Sequence, residues 1–96
     1  MADAIQFTVP DSDFIELVGA GLSGSLLHQG GVSGDSNIII VESDNKPSFD
    51  ASDPNRFKSN PASAYLSSGG KDGYFKSRTL WAVSQTGDQL LSVTPA

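Results

Sequence analysis

Asn37-Ile38-Ile39-Ile40-Val41-Glu42 is the stretch that decides the fold class of this 96-residue chain. Its four successive β-branched side chains are stiff at χ1, which disfavours a helix and suits a pleated, buried strand. Working outward, short strands cut by turn residues recur along the chain. Ile5-Gln6-Phe7-Thr8-Val9 alternates apolar and polar with period two, as a half-buried strand does. Phe14 to Val18, Ser25 to Gln29, Ala64 to Leu66, Gly73 to Lys76, Leu80 to Ser84 and Gln89 to Val93 follow the same style. Between them lie turn residues: Pro10 to Asp13, Gly30 to Asp35, Ser68 to Gly73, and Thr86-Gly87-Asp88, which is expected to close a hairpin between the last two strands. No segment sustains a 3.6-residue period. Seven or eight short strands at this spacing predict one all-β domain over residues 1–96, an antiparallel β-sandwich or jelly-roll without internal repeat.

Residues 43–63 differ in kind. They hold Pro47, Pro54 and Pro61 among many Ser, Asp and Asn residues, with Phe49 and Phe57 as the large apolar side chains. A structureless loop of that length is unusual in a compact domain, so it reads as a functional excursion or an arm. At 10.0 kDa the chain buries one modest core, and subunit association is an expected source of further stability. No apolar run approaches the ~20 residues of a bilayer span, so no membrane partner is expected. The first residues, Met1-Ala2-Asp3-Ala4, lack the basic and apolar regions of a secretory signal. Absence of cysteine excludes disulfides, thiolate metal sites and thiol nucleophiles.

The net charge of −5 argues against nucleic acid as a partner, because phosphate binding needs a basic stripe. Residues 1–50 hold eight acids and the single base Lys46; residues 51–96 hold three acids and five bases. That asymmetry suits head-to-tail subunit contacts or docking on a basic partner, while an ordinary solvated surface is the plainer reading.

The sharpest motif is Val18-Gly19-Ala20-Gly21-Leu22-Ser23-Gly24, a G-x-G-x-x-G after a strand, with Glu42 closing the strand that follows. This stretch resembles the start of an FAD- or NAD-binding Rossmann domain, in which the acid would bind a ribose hydroxyl. The helix such a unit needs from about Leu22 would have to absorb Gly24, Gly30, Gly31 and Gly34, at ~1 kcal/mol each relative to alanine. The plainer expectation is turns between strands, and no cofactor. His28 is the only histidine, and without a G-x-S-x-G elbow it reads as a strand or loop residue. Asp50, Asp53 and Asn55 lack the order of a calcium loop, and Gly69-Gly70-Lys71-Asp72 lacks the spacing of a Walker motif. Neither a catalytic residue nor a metal ligand is expected. Trp81 reads as core or subunit-interface packing.

From Asn37 onward the chain resembles small virion proteins of tailed bacteriophages. The likeness rests on the strand Ile38 to Glu42, the proline-containing excursion at Asn45-Lys46-Pro47, a glycine-rich turn, and the ending Leu80-Trp81-Ala82-Val83-Ser84, a Gly turn and Leu90 to Val93. It implies a small β-sandwich, made in the host cytoplasm and located in the virion, that assembles as a homo-oligomer, such as a trimer, with other virion proteins. A capsid decoration protein is the first expectation, and a tail or fibre component the second. A minimal FAD/NAD-binding protein and an acidic regulator docking on a host protein are the other readings. Phe49, Phe57, Tyr65 and Trp81 are the expected interface anchors, since a few large aromatics dominate interface energy.

Overall fold

A computed structural model describes residues 4–49, 64–75 and 78–96. Among the described residues there are eight strands and no helix. They are β1 (Ile5–Val9), β2 (Ile15–Val18), β3 (Ser23–Gly31), β4 (Ile38–Glu42), β5 (Ala64–Leu66), β6 (Lys71–Phe75), β7 (Leu80–Ser84) and β8 (Gln89–Pro95). Two four-stranded sheets result, ordered β1-β8-β3-β6 and β2-β7-β4-β5. First strand pairs with last, all antiparallel: β1 with β8, β2 with β7, β3 with β6, β4 with β5. The β3–β8 and β4–β7 ladders then roll this long ribbon upon itself. Every connection except β4–β5 passes from one sheet to the other, which is the jelly-roll arrangement.

The hairpin expected through Thr86-Gly87-Asp88 does not form, because β7 and β8 lie in different sheets. Each strand has two better neighbours, β2 and β4 for β7, and β1 and β3 for β8. The connecting residues are held instead by other connections: Gly87 N–H donates to Asp11 Oδ2 at 2.8 Å, and Thr86 N–H to Ser36 Oγ at 3.1 Å.

The main core fills the space between the sheets, with Val9, Leu26, Ile38, Ile40, Leu80 and Leu91 at its centre. A second cluster covers the outer face of β4 and β7, where Phe14, Ile39, Val41 and Val83 are buried against Phe49 and Trp81. Burial on both faces explains why Ile38 to Val41 is apolar at every position instead of alternating. The other sheet does alternate: Ser25, Ser92 and Thr94 face out between Leu26, Leu91 and Val93. Truncating Ile40 or Leu91 to alanine is worth roughly 2–5 kcal/mol, the usual range for a filled core position.

Several strand limits differ from the sequence reading: β2 begins at Ile15, β8 runs on to Pro95, and β3 and β6 change most. β3 runs through Gly24, Gly30 and Gly31, which alone read as breakers, because β8 and β6 hold it from both sides. At Gly31 a Cβ would lie 1.7 Å from the Gly34 carbonyl oxygen, so the close return of the chain there admits only glycine. β6 begins at Lys71, since Lys71 and Asp72 pair with Leu27 and Leu26, and the turn shortens to Ser67–Gly70. The remainder of the expected 43–63 loop beyond Phe49 lies outside the described residues.

Candidate functional site

At the end of the sandwich where β2 turns into β3, the chain opens a groove of about 300 Å³. Its walls come from Ile5 at the start of β1, Leu17 and Val18 from β2, Leu22 from the turn, Tyr74 from β6, and Val93 and Pro95 from β8. Leu22 is 55% exposed and Ile5 52%, so two large aliphatic side chains stand in water within one depression. The turn puts them there. Gly19 and Gly21 let β2 leave one sheet and β3 enter the other within a few residues, and Leu22 at the crest has no inner face to join. Burial pushes the Tyr74 phenol above its ordinary pKa.

The glycines of the dinucleotide-like motif therefore have another task. Residues after the motif form β3, not the helix whose N-terminus would face a pyrophosphate. Gly24 lies beneath the Tyr74 ring, and a Cβ there would sit 2.3 Å from the Thr94 carbonyl oxygen and 2.6 Å from Tyr74 Oη. Glu42 Oε2 accepts the Arg78 backbone N–H at 3.2 Å.

The opposite end carries a polar network built on His28 and Gln89, both fully buried. His28 Nδ1 lies 2.9 Å from the Leu66 carbonyl oxygen, and Nε2 lies 2.9 Å from Gln89 Oε1. Gln89 is held by its other bonds: Oε1 accepts the Ser36 N–H at 3.2 Å, while Nε2 donates to Gly34 O at 2.8 Å and Thr86 O at 3.1 Å. These contacts tie β3, β5, β8 and two connections together. His28 is thus a strand residue that clasps the roll.

The four expected anchors divide. Phe49 and Trp81 meet in the second cluster, and Trp81 Nε1–H donates to the Ser43 carbonyl at 3.0 Å. Tyr65 stands 48% exposed on β5, in register with Ile39. Phe57, like Asp50, Asp53 and Asn55, lies outside the described residues. Gly69 and Gly70 donate their N–H groups to His28 O and Ser67 O, which leaves that turn no free cradle for a phosphate. Among the described residues no group of three or more acidic or histidine side chains is placed to hold a metal ion. A second, shallow depression of about 510 Å³ on the outer face of β8-β3-β6 is lined by Ser25, Leu27, Lys71, Ser92 and Thr94. The apolar groove escaped sequence reading because Ile5 and Leu22 acquire their exposure from where the sheets end. Leu22 between glycines was the one signal that could have found it.

Comparison with family models, curated proteins and solved structures finds no match to this chain.

Proposed function

We propose that this chain is a structural subunit of a tailed-phage particle, a capsid decoration protein acting by packing, with a tail or fibre component as the second position. The observation that carries this reading is the end groove. Exposed large aliphatics gathered in one depression mark a surface that another protein covers, whereas scattered ones do not. Its large side chains, aliphatic apart from Tyr74, are those of an interface centre, with Gly19, Gly21 and Ser23 between them. The jelly-roll order adds an argument by analogy, since viral capsid domains use it, as do lectins and cupins.

Two measurements test the reading together: sedimentation of the purified chain, and co-sedimentation with capsids and tails of a phage that encodes it. The expected result is a closed oligomer that binds capsids, with both properties weakened by Leu22→Glu. A monomer at every concentration, bound to neither capsid nor tail, would overturn it. Retained binding by a folded Leu22→Glu chain would remove the groove from it.

A further inference from the structure

We propose that two copies of this chain join edge to edge through β1, antiparallel about a two-fold axis at Gln6, into one continuous eight-stranded sheet. This deepens the packing reading and rests on it, by naming a second copy as the partner.

The sheet edges are β1 and β6 in one sheet, β2 and β5 in the other. Exposed edges invite foreign strands and are commonly shielded by charge, brevity, proline or bulges. β2 carries Glu16 and a register shift between Glu16 and Val18. β5 has only three residues. β6 carries Lys71 and Asp72 and has Gly73 at its middle. β1 has five residues, no charge, no proline and an unbroken register from Ile5↔Val93 to Val9↔Gln89. Among the described residues, it is the edge without such a guard.

The outward backbone groups of β1 follow from the ladder pattern. In an antiparallel ladder, directly opposed residues either exchange both hydrogen bonds or neither, in alternation. Ala96 N–H donates to Ser23 O, and Val32 N–H donates to Asp88 O, each pair continuing the β3–β8 register. Even-numbered β8 residues therefore bond to β3, and odd-numbered ones turn to β1. Val93, Leu91 and Gln89 face Ile5, Phe7 and Val9, so those β1 residues spend their N–H and C=O groups on β8. Gln6 and Thr8, with Ala4 before them, direct theirs away from the sheet. The bond from His28 N–H to Gly70 O, on the other side of β3, obeys the same alternation.

Charge and side-chain exposure select a second copy and its register. The edge is uncharged in a chain of net charge −5, so a like-charged copy meets no repulsion along the strand itself. With Gln6 facing Gln6 of the second copy, Ala4 faces Thr8, and every outward donor meets an acceptor. The same register sets Ile5 opposite Phe7. These are the two β1 inner-face side chains that the monomer leaves partly exposed, Ile5 about half and Phe7 at the rim of the core, while Val9 is already fully buried. Ile5 also lines the end groove, so the seam runs into that apolar surface.

The chain has no cysteine, so Gln6→Cys introduces a single thiol. Opposed residues of a hydrogen-bonded pair have Cα atoms ~5.5 Å apart, within disulfide reach. Mild oxidation is expected to convert most of Gln6→Cys to a covalent dimer, and to leave Ser25→Cys, on the middle strand β3, uncrosslinked. Gln6→Lys sets two cations face to face and is expected to halve the sedimenting mass of the dimer while keeping a strand-rich circular dichroism spectrum. If wild type associates but Gln6→Cys does not crosslink and Gln6→Lys still associates, the edge pairing is wrong and the packing reading stands. If wild type stays monomeric yet binds capsids, the edge pairing falls alone. If it neither associates nor binds, both fall.

Discussion

At one end of the sandwich the connections 10–13, 34–36 and 85–88 hold one another through side-chain and backbone hydrogen bonds, and His28 and Gln89 sit beneath them fully buried. At the other, the turn from β2 to β3 leaves Leu22 and Ile5 in water above a groove. Sequence polarity alone suggests the reverse importance, because the first end is rich in Asp, Ser and Gly and the second is aliphatic. The difference is one of satisfaction. A buried polar group without a partner costs roughly 1–3 kcal/mol, so the polar end is closed by mutual bonding. Exposed apolar groups incur no such local cost and can await another protein. The polar end therefore carries fold stability, and the proposed association falls to the apolar end.

Substitutions should separate these roles. The largest stability effect is expected at Gln89→Leu, which strips partners from His28, Ser36, Gly34 and Thr86 at once. The loss should be roughly 3 kcal/mol or more, on the order of 10–20 °C in Tm for a domain this size. Gly31→Ala should match it, since the added Cβ meets backbone. Calorimetry showing either variant within a few degrees of wild type would dissolve the contrast.

Leu22→Glu at the apolar end should change stability by no more than about 0.5 kcal/mol while weakening association, the usual outcome for an exposed position. A melting shift as large as that of Gln89→Leu would mean that the groove belongs to the fold.

Tyr74 sharpens the comparison from inside the groove. Its phenol titrates higher folded than unfolded, so above the unfolded value the unfolded chain has lost more protons and stability falls as pH rises. Denaturation followed from neutral pH to beyond pH ~10 should show that decline, reduced in Tyr74→Phe. An unchanged alkaline slope in the variant would assign the decline elsewhere.

A modest effect is expected at Asp13, whose bond to Lys46 Nζ at 2.6 Å holds its carboxyl below the ordinary value. That contribution is present above the unfolded pKa and is lost as pH falls through the lower folded one. Both side chains are about half exposed. Asp13→Asn should therefore cost less than about 1 kcal/mol near neutrality, diminish with salt, and flatten the acid limb of the stability curve. Salt-independent loss in the variant would point to the Asp13 bond with the Phe14 N–H instead.

How far the sequence was legible follows from the range of the forces involved. The run Ile38 to Val41 and the alternation in Ile5 to Val9 announced strands because χ1 stiffness and face polarity are properties of neighbours along the chain. The turn chemistry of Thr86-Gly87-Asp88 announced a reversal but not its destination, and the chain there crosses between sheets instead of closing a hairpin. Gly19, Gly21 and Gly24 looked like a phosphate cradle because glycine marks any close approach, and only the neighbours of Gly24, the Tyr74 ring and the Thr94 carbonyl, say which one. Trp81 was legible as a packing residue, but the cluster it covers and its bond to the Ser43 carbonyl were not.

The all-β class was thus determined by the sequence itself, since local stiffness, alternation and turn residues act over a few positions. Which strands are neighbours, which edge lacks a guard, and which aliphatic side chains remain in water were decided by tertiary structure. Those properties depend on ladders between residues as distant as Ile5 and Val93, whose pairing is settled by how a whole ribbon rolls to bury its apolar faces.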